Sequence, residues 1–213
     1  MARVVSGPYL GYSGTVDGMT YYQINGITYV KKKNKKSTKP RTENQEAQNV
    51  TLTMISKFLK PFDDFVKFSY QHVAKSKGMN PHNAIANHIW ENALQGRDMN
   101  RSVDLQQLLI TQGNLPAAKT QKVEMTEKGL KFTWSNEIEE GKSHHSDQVV
   151  LLAYFPELEE VVYKIGGAER GVGEQLLPLI GVEQGYEAEI FISFVTNDHS
   201  DMANSIYLGK LNW

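Results

Sequence analysis

Seven cations stand in the eleven residues from Lys31 to Arg41, with no acid among them. They are Lys31, Lys32, Lys33, Lys35, Lys36, Lys39 and Arg41. On an extended chain such a run can neutralise several phosphates, and each contact releases counterions. Tyr21, Tyr22 and Tyr29 lie just upstream, and rings beside cations can stack on bases. The run is also too polar to bury itself, so the plainest reading is a solvated linker. No helix-turn-helix or RNA-recognition signature accompanies it. A third use follows from the charge distribution. Residues 1–122 carry 17 Lys and Arg against 8 Asp and Glu, and residues 123–213 carry 6 against 16. A basic arm can therefore lie on the acidic part of a neighbouring copy, and such head-to-tail contacts propagate.

The remaining reactive side chains form no catalytic set. Cysteine is absent, which excludes disulfides, thiolate zinc sites and a cysteine nucleophile. His144, His145 and Asp147 share a polar stretch, but adjacent histidines do not converge on one ion. His82 and His88 sit on different faces of a helix, and His88 reads as a packing or capping residue. The run from Gly166 to Gly173 lacks the Gly-Lys-Ser/Thr of a phosphate loop and precedes a strand. No serine occupies a nucleophile elbow. Glu137, Glu139 and Glu140 form a surface cluster and not an acid–base pair. Trp90, Trp134 and Trp213 read as core or interface anchors. The expectation is a chain that is not an enzyme, with no catalytic residue, metal or cofactor.

The elements that position these residues are legible. Asp17-Gly18 and Asn25-Gly26 are two-residue hairpin signals flanking strand-forming residues. They predict a three-stranded meander over Tyr9–Val16, Met19–Ile24 and Ile27–Lys33. A ribbon of this size has little core and open edges. Its pairing residues Tyr21, Tyr22, Ile24, Ile27 and Tyr29 are candidates for strand addition to its own body or to another subunit. Thr42 with Gln45 predicts a capped helix start. Val50, Met54, Phe58, Phe62, Phe65, Val66, Tyr70 and Val73 mark a helical stripe that Pro61 kinks or restarts. Gly78 ends it. Asn80-Pro81 opens a further helix with an apolar face of Ala84, Ile85, Ile89 and Ala93.

Strands are expected at 104–111, 122–126, 130–134, 148–155, 160–165, 175–180, 188–196 and 205–211, at the spacing of a β-sandwich. The fold class is therefore α+β: a β-meander arm and basic linker over 1–41, two or three helices over 42–101, and a sandwich over 102–213.

Short motifs recur in a familiar order. They are Gly11, Gly14 and Gly18; Lys39-Pro40-Arg41-Thr42 with Gln45; Thr111-Gln112-Gly113-Asn114-Leu115-Pro116; and Phe132-Thr133-Trp134. Gly166-Gly167-Ala168 with Arg170, and Asn204-Ser205 with Tyr207-Leu208-Gly209, complete the set. Together they resemble an uncharacterised Bacteroidota family, domain of unknown function 6266. The resemblance spans nearly the whole chain. It implies an immunoglobulin-like C-terminal half behind a helical middle, and no activity, cofactor or catalytic residue.

The expected function is non-catalytic: a structural or interaction protein that forms a homo-oligomer or joins a larger multi-subunit particle through its arm and linker. Nucleic-acid binding through Lys31 to Arg41 is the alternative. Met1 to Leu10 lacks the apolar core of a signal peptide, and no run of about 18 apolar residues occurs. The expectation is a cytoplasmic chain, or one within a particle such as a virion, without membrane insertion.

Overall fold

Asp17 and Gly18 both take positive φ, 49° and 73°, as the hairpin turn between two short strands requires. That turn belongs to a computed structural model that describes residues 2–24, 26–34, 39–97 and 99–213. Asn25, of the second predicted turn, lies outside the described residues. The chain divides into two compact units, Met1–Thr42 and Glu43–Trp213.

The first unit is a four-stranded antiparallel sheet of β1 (Ala2–Val4), β2 (Gly14–Val16), β3 (Met19–Ile24) and β4 (Ile27–Lys32), in the order β1-β4-β3-β2. Two features differ from the sequence expectation. Residues 2–4 add a strand against β4. The run predicted as Tyr9–Val16 is strand only from Gly14. Gly11 at φ 78° turns the chain back over the sheet. There Tyr9 stacks on Tyr21 at 4.9 Å, and Tyr12 meets the same ring edge-on at 5.9 Å. The Gly11 amide donates to Thr28 Oγ1 (2.9 Å).

The second unit opens with α1 (Glu43–Leu59), a 3-10 turn over Lys60–Phe62, α2 (Asp63–Ser69), α3 (Gln71–Lys77) and α4 (Pro81–Asn92). Among the described residues, four α-helices stand where two or three are expected. Pro61 and Tyr70 divide one predicted stripe into three, since Pro61 cannot donate to the preceding turn. Gly78 closes α3 in the left-handed region, and the Asn80 side chain accepts from the Asn83 amide (2.7 Å) to start α4.

A two-stranded pair, β5 (Leu94–Gln95) and β6 (Ser102–Val103), follows. Then come β7 (Lys122–Thr126), β8 (Gly129–Thr133), β9 (Gln148–Phe155), β10 (Glu160–Lys164), β11 (Glu174–Pro178), β12 (Glu187–Val195) and β13 (Ile206–Asn212). They form an antiparallel sheet β10-β9-β12-β13 and a smaller sheet β11-β8-β7. Gly129 takes φ 138°, and a Cβ there would stand 2.2 Å from the Leu177 carbonyl, so β8 and β11 pass too closely for any other residue.

Alternation on β9 and β12 explains the layering. Val149, Leu151, Ala153 and Phe155, with Ile190, Ile192 and Phe194, face Leu130, Phe132 and Leu177 of the smaller sheet. Val150, Leu152, Tyr154, Phe191 and Val195 face the helices, against Ile55, Leu59, Phe62, Phe65 and Ile89. Helices, large sheet and small sheet are three layers with two cores. The helical stretch is therefore not a body apart from the strands: a central strand that is apolar on both faces needs a cover on each.

The strand expected over 104–111 is absent. This segment crosses between helices and sheet, and side chains satisfy its backbone. The Ile110 amide donates to Ser205 Oγ (2.9 Å), Tyr70 OH donates to the Leu109 carbonyl (2.7 Å), and the Leu109 amide donates to His88 Nε2 (3.1 Å).

Candidate functional site

Cross-strand partners in the first unit share a face, which fixes where the candidate residues stand. Tyr22 opposes Tyr29, Ile24 opposes Ile27, Thr20 opposes Lys31, and Arg3 opposes Tyr29. These residues occupy one face. Tyr21, opposite Val30, lies on the other, under Tyr9 and Tyr12. The Tyr22 and Tyr29 rings stack at 5.9 Å, and Lys31 Nζ stands 5.5 Å above the Tyr22 ring. The structure thus brings together Tyr22, Ile24, Ile27, Tyr29 and Lys31, and separates Tyr21 from them. β3 and β4 are interior strands; the sheet's outer strands are β1 and β2.

Of the basic run, Lys31 and Lys32 end β4 on opposite faces, and Lys33 follows, its amide donating to the Gly18 carbonyl (2.7 Å). Lys39 and Arg41 are exposed just before α1. Lys35 and Lys36 lie outside the described residues. The first unit carries 8 Lys and Arg against 1 acid and the second 15 against 23, balances of +7 and −8.

In the second unit, two features escape sequence reasoning. One is Arg170, 1% exposed, in a 3-10 turn over Arg170–Val172. Its Nε donates to Asp147 Oδ2 (3.2 Å), its Nη2 donates to the Pro116 carbonyl (2.7 Å), and its guanidinium stacks on Phe194 at 4.4 Å. Burial lowers the guanidinium pKa, and Asp147 opposes that shift. Trp134 Nε1 donates to the Arg170 carbonyl (2.9 Å). Sequence marks Arg170 only as the end of a glycine-rich turn.

The other is an open apolar groove of about 720 Å³ beside α1, floored by Met54, Phe58, Val103, Leu105 and Tyr154, with Lys57, Arg101 and Glu159 at its rim.

His88 holds structure. His88 Nε2 accepts from the Leu109 amide (3.1 Å), tying the irregular 104–111 segment to α4. Burial lowers the His88 pKa, with the Gln107 carbonyl acting the other way. The folded chain therefore takes up this proton at lower pH than the unfolded chain. Stability is full above the unfolded value near 6.5 and declines as pH falls below it toward the folded value. Thermal melts are expected to show a larger loss on acidification for the wild type than for His88→Gln; parallel curves would exclude His88 as the source. His144 and His145 pack ring on ring at 4.0 Å. Among the described residues, no three His, Asp or Glu side chains converge on a point that could hold a metal, and no helix is long and apolar enough to cross a membrane.

No curated protein and no solved structure matches the chain. A family of unknown function, DUF6266, matches it over residues 9–209. That span begins in the tyrosine cluster of the first sheet, takes in the Arg170 turn and both cores, and closes at Gly209 in β13, so the chain belongs to the DUF6266 family.

Proposed function

We propose that this chain is a non-catalytic structural or interaction protein that assembles with copies of itself, or into a larger multi-subunit particle, through its N-terminal sheet and basic linker. The observation that carries the reading is the state of that sheet. Thr28 is the single buried residue among the described residues of 2–42. A four-stranded sheet that buries so little lacks a core, and it gains stability from a surface brought by another body. The opposed balances of +7 and −8 favour a neighbour's acidic body as that surface.

In this reading β2 to β4 are a meander arm. The sheets β11-β8-β7 and β10-β9-β12-β13 are an immunoglobulin-like sandwich that receives it. A Bacteroidota source and a cytoplasmic or particle-bound setting belong to the same proposal.

Light scattering across concentration and salt tests it. The average mass is expected to exceed the monomer at low salt and to fall as screening rises. A strict monomer under all conditions would sink the reading.

Nucleic-acid binding is the second reading. The stacked Tyr22–Tyr29 pair favours it, because Lys31 and Arg3 share that face and could hold phosphates beside stacked bases. A gel shift with random DNA and RNA at low salt separates the two. A shift lost on Tyr29→Ala would replace the first reading with the second.

A further inference from the structure

We infer that the exposed stripe of α1 is a second self-association surface, on which the antiparallel α1 of another copy packs about Val50. The inference rests on the self-assembly reading above and adds to it a contact of a different kind. Thr51, Ile55 and Leu59 are the buried residues of α1, and Met54 and Phe58 pack against the same core from the edge of the groove. The stripe of Val50, Met54 and Phe58 lines the groove, and its exposure rises toward Val50. Val50 on it is 44% exposed, and Met54 and Phe58 are half-buried. The first two turns bury nothing: residues 43–50 are exposed, apart from a half-buried Ala47. Helix ends that bury little surface are marginal in water, so a helix that keeps such turns is suited to a partner.

The stripe's charges choose the partner. At 100° per residue, Glu43 and Lys57 lie within about 20° of Val50 around the helix axis, each two turns or about 10.5 Å from it along the axis. The stripe thus reads acid, apolar centre, base. A second copy laid antiparallel with its Val50 on this one sets Glu43 against Lys57 at both ends. A parallel copy would set like charges together, which is unfavourable. The contact is isologous, the commonest form of self-association. Ala47 and Met54 flank Val50 on the same stripe, and the open groove beside them has room for the partner's side chains. Lys57 now stands 3.7 Å from Glu159. Both groups are largely exposed, and such a pair is weak enough to exchange partners.

This contact is mainly apolar, whereas the arm contact is electrostatic, so salt separates them. Sedimentation velocity of the full chain in about 1 M salt, where charges are screened beyond roughly 3 Å, is expected to show a dimer. Val50→Glu, at an exposed helix position that tolerates it, is expected to halve that mass with unchanged circular dichroism.

The absence of native cysteine makes cross-linking clean. Val50→Cys is expected to form a disulfide dimer under mild oxidation, and Ser76→Cys on α3 is not. Glu43→Cys and Lys57→Cys chains are expected to cross-link when mixed and not separately. A wild-type monomer at high salt that still assembles at low salt would overturn the α1 contact and leave the arm reading standing. A dimer that grows no larger at any salt would do the reverse. A dimer unaffected by Val50→Glu, or cross-linking of Glu43→Cys alone, would also overturn the α1 contact. So would saturable binding of a small amphipathic probe such as a long-chain fatty acid to the groove without any dimer.

Discussion

Arg170→Ala is expected to lower stability by about 3–5 kcal/mol, the usual cost of leaving one member of a buried ion pair behind. At this chain length that is a fall of roughly 6–20 °C in thermal midpoint. The size follows from what the guanidinium does. It holds Asp147, itself 3% exposed, the Pro116 carbonyl and the face of Phe194 at once. Alanine removes all three contacts and leaves the Asp147 carboxylate with the His144 amide (2.9 Å) among its partners. Phe194 in turn meets Trp134 edge-on at 5.5 Å, so the loss reaches the contact between the sheets.

A double-mutant cycle sharpens the test. Arg170→Met with Asp147→Asn is expected to cost less than the sum of the two single changes, because the second change removes the orphaned charge. A single-variant loss below about 1 kcal/mol would mean that the pair is not what fixes the turn.

Deleting residues 1–41 has the largest expected effect on assembly. The salt-sensitive part of the scattering mass should vanish, leaving a species whose mass no longer depends on ionic strength. The thermal midpoint should move by less than about 2 °C, below what 1 kcal/mol produces at this size. The two compact units give the reason: among the described residues, the cores of the second unit begin within α1, at Met54. If the midpoint collapses instead, the sheet is a component of the body and not an arm. If assembly persists with its salt dependence intact, the basic run is a solvated linker and nothing more.

How far the sequence reaches can be judged element by element. Turn residues and strand spacing placed β9 at Gln148–Phe155, and the strand expected over 188–196 stands as β12 at Glu187–Val195. Gly78, Asn80 and Pro81 bounded the helices they were expected to bound. The failures have a common form. The 104–111 segment was expected as a strand, yet its amides and carbonyls are met by Ser205, Tyr70 and His88, from elements far along the chain. Tyr9 looks like strand until Gly11 turns it over Tyr21. Tyr21 and Tyr22 are neighbours in sequence, and register places them on opposite sides of a sheet, so only one of them can serve the candidate face.

What the sequence determined by itself was local: where strands and helices run, which turns take positive φ, and how charge divides along the chain. Those properties depend on residues within a few positions of one another. The tertiary structure decided which side chains lost water. Arg170 is charged, follows a run of glycines and reads as loop, but Pro116, 54 positions away, and Asp147 close over it. Val50 belongs to an apolar stripe like that of Ile55, yet the sheet covers one stripe and leaves the other at a groove. Burial is a property of what arrives from elsewhere in the chain, and periodicity alone does not carry that information.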